Sequence, residues 1–218
     1  MINKWHLISL FIATSVTGCA DYTKTVGDTV KLAVIGQPDV EIPAQKIAQI
    51  PYATAYLKMG KAPRAFVVLA FAENGNMKWV SADKHMLVTR AGRVIKTVGF
   101  GEDICYQDNL EHDPLASGLL NITTPVKWQH RVEWSRVYRS GYELLSEFQA
   151  KGIEIVTILD KPRSLQRFDE KVSIPALDIS YTNQFWLDPL SGKVVQSYQY
   201  MGPNLAVVQF TVLKPYAE

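Results

Sequence analysis

The chain of 218 residues is short of cysteine, of histidine and of excess charge of either sign. With only two cysteines, Cys19 and Cys105, it cannot form an intrachain disulfide once either one is modified. Its 23 basic and 21 acidic residues leave a net charge of +2, which offers no basic excess for binding nucleic acid. The sequence also lacks the GxSxG, HExxH, Walker and Rossmann motifs, so it does not indicate a hydrolase, and we expect no cofactor and no metal.

The first eighteen residues have the layout of a secretory signal, with positive charge at Lys4, an apolar core over Leu7 to Val16 and small residues after it. A spanning helix needs about 20 apolar residues, so the alternative of an uncleaved membrane helix is disfavoured. Val16-Thr17-Gly18-Cys19 resembles the lipobox of bacterial lipoproteins, in which the cysteine thiol receives a diacylglycerol and the signal is cut before it. This resemblance predicts a signal peptide over 1–18 and a membrane anchor on Cys19.

The residue after Cys19 indicates the membrane in which a lipoprotein resides. Ala20, rather than aspartate, follows Cys19, and in lipoproteins resembling those of enteric bacteria this favours the outer membrane, here with the domain facing the periplasm. Residues 19–31 then form the lipidated cysteine and a polar tether, and 32–218 a single β-rich domain. Removing 1–18 leaves 218 − 18 = 200 residues, enough for one sizeable core.

Hairpin signals dominate the middle of the chain. In "RAFVVLAFAENGNMKWVSA" an apolar run meets a second strand across Asn74-Gly75, the pair typical of a type I′ turn. Because Phe66 to Ala72 is apolar at nearly every position, both faces of its strand are expected to be covered. A second hairpin about Ala91-Gly92 places Arg90 opposite Arg93, a pairing we expect only near solvent.

Strand patterns continue to the carboxyl end. Period-two alternation over 127–139 predicts a strand that places these residues on one face: Trp128, His130, Val132, Trp134, Arg136 and Tyr138. Residues 140–159 fit either a capped helix that ends at Lys151-Gly152 or a long bent strand with a hairpin there, and we favour the strand.

Turns at Asp188–Gly192 and Gly202–Asn204 predict a final three-strand meander, and Asp39 to Gln49 could carry one short helix. The fold class is therefore mainly β: an antiparallel meander and hairpin sheet that closes into a barrel-like or sandwich-like single domain with little helix.

One polar segment offers a possible chemistry. Residues 102–113 contain Glu102, Asp103, Asp108, Glu111, His112 and Asp113, which could in principle bind a hard cation or run acid–base steps. Their spacing matches no established metal loop, and an ordinary connecting segment looks much the same. They define the alternative hypothesis of a periplasmic carbohydrate-binding or carbohydrate-modifying enzyme. We expect Cys105 to be a buried small hydrophobe rather than a nucleophile, and His85 and His130 to be structural.

Aromatic residues give a second candidate site, because Trp and Tyr rings stack on sugar rings. If Trp186 stands opposite Val194, one side of the last turn's hairpin carries a candidate glycan or partner surface: Gln184, Trp186, Gln196, Tyr198 and Tyr200. Trp128 and Trp134 form a second, more apolar stripe. Aromatics at strand spacing are usually core, and that alternative stays open for both stripes.

Two stretches carry a family resemblance. "YATAYLKMGKAPRAFVVLAFAENGNMKWVSADKHMLVTRAGRVIKT", residues 52–97, and "FWLDPLSGKVVQSYQYMGP", residues 185–203, resemble the YjbF/GfcB family of lipoproteins associated with group 4 capsule and exopolysaccharide export in Gram-negative bacteria. The resemblance implies a non-enzymatic accessory or assembly factor of that secretion pathway, with the polysaccharide and other export proteins as partners. It brings no set of binding residues apart from the acylated Cys19.

Overall fold

The structure, a computed structural model, describes residues 38–135, 140–203 and 205–217. The predicted signal peptide, Cys19 and the tether lie outside the described residues, as do Arg136 and Tyr138. The described chain contains a helix α1, Ala44–Gln49, three short 3-10 turns, and these strands: β1 Thr54–Met59, β2 Ala65–Glu73, β3 Asn76–Ser81, β4 Met86–Arg90, β5 Arg93–Val98, β6 Ile104–Gln107, β7 Val126–Trp134, β8 Tyr142–Ile158, β9 Lys161–Ile174, β10 Ile179–Leu187, β11 Val194–Tyr200 and β12 Val207–Lys214.

All twelve strands form one antiparallel sheet in the order β5-β4-β3-β2-β1-β12-β11-β10-β9-β8-β7-β6. Two meanders, β1 to β5 and β6 to β12, are thus joined through the pairing of β1 with β12. The two edge strands, β5 and β6, come close together, so the sheet is a nearly closed barrel. The prediction of a mainly β, barrel-like domain with little helix is confirmed. No helix in the described part of the chain is long and apolar enough to cross a membrane.

Side chains, rather than a backbone ladder, link β5 to β6. The carbonyl of Val94 accepts a hydrogen bond from Gln107 Nε2 at 3.0 Å, and the Ile104 N–H donates to Thr97 Oγ1 at 2.9 Å. From inside the barrel, Gln199 Oε1 accepts the Val94 N–H at 3.0 Å. Both polar groups of Val94 are therefore paired although β5 is an edge strand.

Both predicted tight hairpins are present. Asn74 and Gly75 have φ of 52° and 78°, and Ala91 and Gly92 have φ of 47° and 86°, which is the positive-φ pair of a type I′ turn. Arg90 pairs with Arg93 as predicted. The expectation that this pairing lies near solvent is wrong for Arg93, which is only 4% exposed because two carboxylates neutralise it inside the barrel.

The expectation that both faces of β2 are covered is also wrong. Val67 and Leu69 are buried, but Ala70 to Glu73 are exposed, Phe71 by 59%. The neighbouring strand β1 pairs only with Ala65 to Val68, so the rest of β2 extends past it. An apolar run shows the type of element, but the length of its neighbour decides which part is buried.

For residues 140–159 the favoured strand is confirmed, since β8 covers Tyr142–Ile158, and the helical alternative is wrong. The hairpin predicted at Lys151-Gly152 is wrong. Gly152, with φ of 97°, lies at a β-bulge, and the chain turns instead at Leu159-Asp160, whose φ values are 50° and 61°. Glycine serves a bulge and a turn for the same conformational reason, so the sequence pattern does not separate the two.

Beyond the bulge, β8 and β9 form a two-stranded ribbon, residues 152–165, which we call the arm. β7 pairs with β8 only as far as Phe148, and β10 pairs with β9 only from Gln166 onwards. Within the described residues, the arm strands therefore pair only with each other.

The final meander β10-β11-β12 is confirmed, with one change of register. Trp186 pairs with Gln196, and Leu187 with Val194, because a bulge shifts the register between them. The prediction that Trp186 stands opposite Val194 is therefore wrong, although Trp186 and Gln196 still share a face. Phe185 and Leu187 point into the barrel, which places Trp186 on its outer face.

Candidate binding cleft beneath the arm

The outer face of the barrel carries two lines of cross-strand neighbours below the arm. In antiparallel strands, paired residues point to the same face. The register places one line as Tyr56, Thr211, Gln196, Trp186 and Arg167, and the next as Lys58, Gln209, Tyr198, Gln184 and Asp169. Amides, hydroxyls and aromatic rings therefore alternate across five adjacent strands.

The arm folds over this face and is fixed at its base by Glu154. The Trp186 indole donates to Glu154 Oε2 at 2.8 Å, and Arg167 contacts Glu154 Oε1 at 2.8 Å. The hydrogen bond from Trp186 and the charge of Arg167 lower the pKa of Glu154, although partial burial opposes them. Leu165 is fully buried against Trp186, which is itself only 5% exposed.

A cleft of about 250 Å³ remains between the arm tip and the sheet. The tip supplies Thr157 to Leu159 as one wall. The floor consists of Gln196 and Tyr198 on β11 and of these β12 residues: Gln209, Thr211 and Leu213. Tyr198 is held edge-to-face against Trp186, with ring centroids 5.0 Å apart. The buried tryptophan thus positions the tyrosine of the cleft.

Charged residues close one end of the cleft: Asp39, Lys58 and Arg64, beside Tyr56. Lys58 Nζ lies 3.0 Å from an Asp39 oxygen, and the backbone N–H of Arg64 donates to Asp39 at 2.7 Å. The backbone hydrogen bond from Arg64, followed by Lys58, lowers the pKa of Asp39. The Arg64 guanidinium lies 4.3 Å from the centre of the Tyr56 ring. Two cations and one carboxylate leave this end with a charge of +1.

The floor carries hydrogen-bonding groups with spare capacity. Thr211 Oγ1 donates to Gln196 Oε1 at 3.3 Å, which leaves the Gln196 amide nitrogen available. The Gln209 amide and the Tyr198 hydroxyl make no hydrogen bond to another described residue. Uncharged donors and acceptors beside an aromatic ring match a ligand rich in hydroxyl groups.

The structure divides the predicted glycan or partner surface. Gln196 and Tyr198 line the cleft, and Gln184 neighbours Tyr198 on the same face. Trp186 is covered and serves as a support. Tyr200 lies outside the cleft, 41% exposed, with its ring stacked on Tyr181 at 5.2 Å.

The second stripe belongs to the core. Trp128 and Trp134 are both buried, and their indole N–H groups donate to the backbone oxygens of Asn109 and Met201.

Sequence reasoning missed the half of the cleft contributed by β1, β12 and the arm. Tyr56 and Thr211 are cross-strand neighbours although 155 residues separate them in the chain. Only the pairing of β1 with β12 brings them together, and no local pattern indicates it. The alternation of polar and apolar residues along β12 was the one signal that pointed to an outward polar face.

The acidic segment does not form a site. Asp103 accepts the N–H groups of Gly99 and Phe100, whereas Asp108 accepts the N–H of Arg131. Glu111 and His112 are exposed and lie 3.5 Å apart. No group of three or more potential metal ligands occurs in the described ranges. The convergence of carboxylates that would favour the enzyme hypothesis is not seen in the part of the chain described.

Another acid of that segment, Asp113, belongs to an ion-pair network inside the barrel. Arg93 Nε lies 2.6 Å from Asp113, and two Arg93 nitrogens each lie 3.0 Å from a Glu170 oxygen. Burial would lower the pKa of Arg93, but the two carboxylates outweigh it and raise the pKa instead. Asn183 donates to Glu170 at 2.8 Å, and Trp128 lies under the guanidinium at 4.5 Å. This network is structural.

His130 is buried beside the network, with its ring stacked on Trp128 at 3.8 Å. Burial, with the nearby charge of Arg93, lowers the pKa of His130 to about 2. Its Nδ1 has no partner among the described residues and borders a cavity of about 30 Å³, room for about one water.

His85 and Cys105 are the two other residues for which the sequence predicts a structural role. His85 pairs with Asp83 at 2.8 Å in the turn between β3 and β4. Cys105 is exposed, so the expectation of a buried thiol is wrong: it lies on the edge strand β6, whose outward side chains no neighbouring element covers.

Comparison with solved structures gives the class of protein first. The crystal structure of the hypothetical lipoprotein YmcC from Escherichia coli K12 matches with a TM-score of 0.75 and 31% sequence identity, over 88% of this chain and 96% of that one. The nearly closed barrel with its arm is therefore the domain of a lipoprotein.

The sequence comparisons then identify the family. The family model "Group 4 capsule polysaccharide lipoprotein gfcB, YjbF" matches residues 27–213, and the chain belongs to this family. Two relatives from Escherichia coli K12 agree. The uncharacterized lipoprotein GfcB is 32% identical over 96% of this chain and 97% of its own length. The uncharacterized lipoprotein YjbF is 31% identical over 94% and 95%.

Proposed function

We propose that this protein is an outer-membrane lipoprotein, anchored through Cys19, that acts as a non-enzymatic accessory factor in capsule or exopolysaccharide secretion. Its domain faces the periplasm, and the cleft beneath the arm binds the polysaccharide. The observation that carries the proposal is the cleft floor, where the Gln196, Tyr198 and Gln209 side chains present uncharged hydrogen-bonding groups beside an aromatic ring.

The chemistry of the floor suits a saccharide. Each sugar hydroxyl both donates and accepts a hydrogen bond, and each glutamine amide supplies one acceptor and two donors. At about 250 Å³ the cleft lies just below the usual range for small-molecule sites, about 300–1,000 Å³. It would therefore hold a short segment of a polymer and leave the rest of the chain outside.

The arrangement favours binding over catalysis. The one carboxylate that lines the cleft, Asp39, is held by Lys58 and by the Arg64 backbone. Its lowered pKa keeps it ionised near neutral pH, which excludes a general acid, and its pairing with Lys58 and the Arg64 N–H weakens it as a base or nucleophile. An accessory factor needs only to hold the chain or to present it to the export proteins.

The test is saccharide binding by purified protein. Oligosaccharide fragments of the capsule or exopolysaccharide of the source bacterium are titrated into the protein and followed by calorimetry. We expect Gln209→Leu and Tyr198→Ala to weaken binding at least tenfold, because each removes a group that a hydroxyl would use.

The matched control is Gln149→Leu, which changes an exposed glutamine of β8 outside the cleft. It should bind as the wild type does. Equal affinity in all four proteins, or a reaction product released from the oligosaccharide, would contradict the proposal.

A further inference from the structure

The arm exposes apolar side chains on the face turned away from the barrel. Ile153 and Ile155 are 57% and 73% exposed. The alternate residues Val156 and Ile158 pack instead against the Trp186 cluster beneath. The arm is thus a ribbon with apolar residues on both faces, and among the residues that the structure describes only one of these faces has a covering element.

This outer face is also free of charge. The register pairs Ile153 with Gln166 and Ile155 with Ser164, so these four residues share the face. The charged side chains of the arm strands, Glu154, Lys161 and Arg163, belong to the opposite set. In that set Arg167 pairs with Glu154, and Asp188 pairs with Arg163.

The chain enters the domain close to the arm. Asp39, at the start of the described chain, lines the same cleft as the arm tip, Thr157 to Leu159. Nineteen residues, 20 to 38, separate it from the predicted lipid anchor on Cys19. Nineteen residues span at most about 65 Å even when fully extended. Along the chain, the described residues nearest the predicted anchor are therefore those beside the arm tip.

We propose that the outer face of the arm rests on the surface of the lipid bilayer that holds the anchor. The inference depends on the lipoprotein part of the proposed function and not on saccharide binding. It adds a second, weak membrane contact, made by Ile153 and Ile155, that orients the domain. The mouth of the cleft then opens at the level of the lipid headgroups.

A weak contact between the arm and the bilayer is sufficient, because the lipid anchor already holds the protein at the membrane. Short flexible linkers give effective concentrations in the millimolar range, and at such a concentration a second contact with a millimolar dissociation constant is populated about half the time. Each methylene moved from water into an apolar phase changes partition about fourfold, and two isoleucines provide several. The free edge of β8 carries unpaired backbone groups, which restricts the contact to the hydrated headgroup boundary.

The experiment measures the environment of single labels on acylated, full-length protein in phospholipid vesicles. Cys105 is replaced by serine, since its exposed thiol would also react, and Ile155→Cys is labelled with a polarity-sensitive fluorophore. The control is Ala72→Cys in the same background, an exposed residue on β2 at the β2–β3 hairpin.

We expect the label at 155 to shift its emission to the blue on reconstitution and to be quenched severalfold by lipids with a headgroup-level nitroxide. The label at 72 should show neither change. Identical aqueous emission at both positions would overturn the inference. A blue shift that depends on protein density, without quenching by the lipids, would also overturn it, because it would show a second copy on the arm.

Failure of the proposed anchor is distinguishable from failure of this inference. Without acylation, the protein separates from the vesicles on flotation. Protein that floats with the vesicles while the label at 155 stays aqueous overturns the arm contact alone.

Discussion

Arg93 and Glu170, 77 residues apart in the chain, form a bidentate ion pair in the barrel interior, with both N–O distances at 3.0 Å. The pair links β5 to β9 across the inside of the sheet. Glu170 also accepts from Asn183, so three donors converge on one carboxylate that is fully buried.

Glu170→Gln should therefore destabilise the fold strongly. The new amide would direct N–H groups at the Arg93 guanidinium and leave a buried cation partly unpaired, which costs about 3–5 kcal/mol of unfolding free energy. Urea denaturation measures the loss. Glu147→Gln, at an exposed position on β8, should change stability by less than about 0.5 kcal/mol. Equal stability of the two variants would show that the ion pair is dispensable.

His130 should make stability depend on pH between 7 and 5. Its pKa is about 2 in the fold, against about 6.5 in an unfolded chain. Between these values the unfolded chain binds the extra proton, so the unfolding free energy falls as the pH falls. The loss from pH 7 to pH 5 is about 2 kcal/mol for this group.

The comparison protein for this prediction is His130→Phe, which keeps a ring against Trp128 but cannot titrate. Denaturation at the two pH values should show a smaller loss in the variant, by about 2 kcal/mol. The carboxyls of Asp39, Asp83 and Asp188, with lowered pKa, titrate below this range. If the unfolding free energy of the variant depends on pH as steeply as that of the wild type, groups other than His130 cause the dependence.

Two hairpin glycines with similar φ separate backbone strain from steric conflict. At Gly75, φ is 78° and a Cβ atom would meet nothing within 4 Å. At Gly92, φ is 86° and the Cβ would collide with the Val194 side chain. Gly75→Ala should cost about 1–2 kcal/mol from the left-handed backbone alone.

Gly92→Ala should cost about 1–3 kcal/mol more than Gly75→Ala, because overpacking adds to the strain. Thermal unfolding of both variants measures the difference. Adding Val194→Gly to Gly92→Ala should recover part of the loss, because only glycine at 194 removes the Cβ atom that lies nearest to the new methyl group. If the double variant loses as much unfolding free energy as the two single variants lose together, the contact between the two side chains is not the cause.

Cys19→Ser should abolish acylation, because a hydroxyl does not replace the thiol as lipid acceptor, and should leave unprocessed or mislocalised protein. Metabolic labelling with a fatty-acid probe gives the readout. Cys105→Ser, which removes the other cysteine, should keep full labelling. Label retained by Cys19→Ser and lost from Cys105→Ser would reverse the assignment of the anchor.

The sequence predicted the local elements of the fold well. Asn74-Gly75 encodes a turn through its own backbone preference, and the alternation around Trp128 encodes a strand, so neither requires knowledge of the rest of the chain. Gly152 shows the limit, because a bulge and a hairpin make the same demand on a single residue. The bulge beside Leu187 likewise shifted the predicted partner of Trp186.

Longer-range features could not be read from the sequence. From the sequence alone, Arg93 is predicted to face solvent. Only the fold shows that Asp113 and Glu170 lie beside it and neutralise its charge. Of the cleft, only Gln196 and Tyr198 were predicted, because they share one hairpin with Trp186. Tyr56 and Lys58 reach the same cleft only through the pairing of β1 with β12.

That pairing bears on the order in which the barrel can form. Every other ladder in the sheet joins strands that follow each other in the chain, whereas β1 must wait for β12, the last strand to be synthesised. Lys214 at the end of β12 contacts the carbonyls of Ala48 and Ile50, so the two termini of the domain lie together. A circular permutant opened between Val98 and Ile104 would make all twelve strands consecutive neighbours and should fold faster than the natural chain. In the natural order, the edge of β1 that β12 covers stays open during synthesis until the carboxyl end of the chain is available to close it.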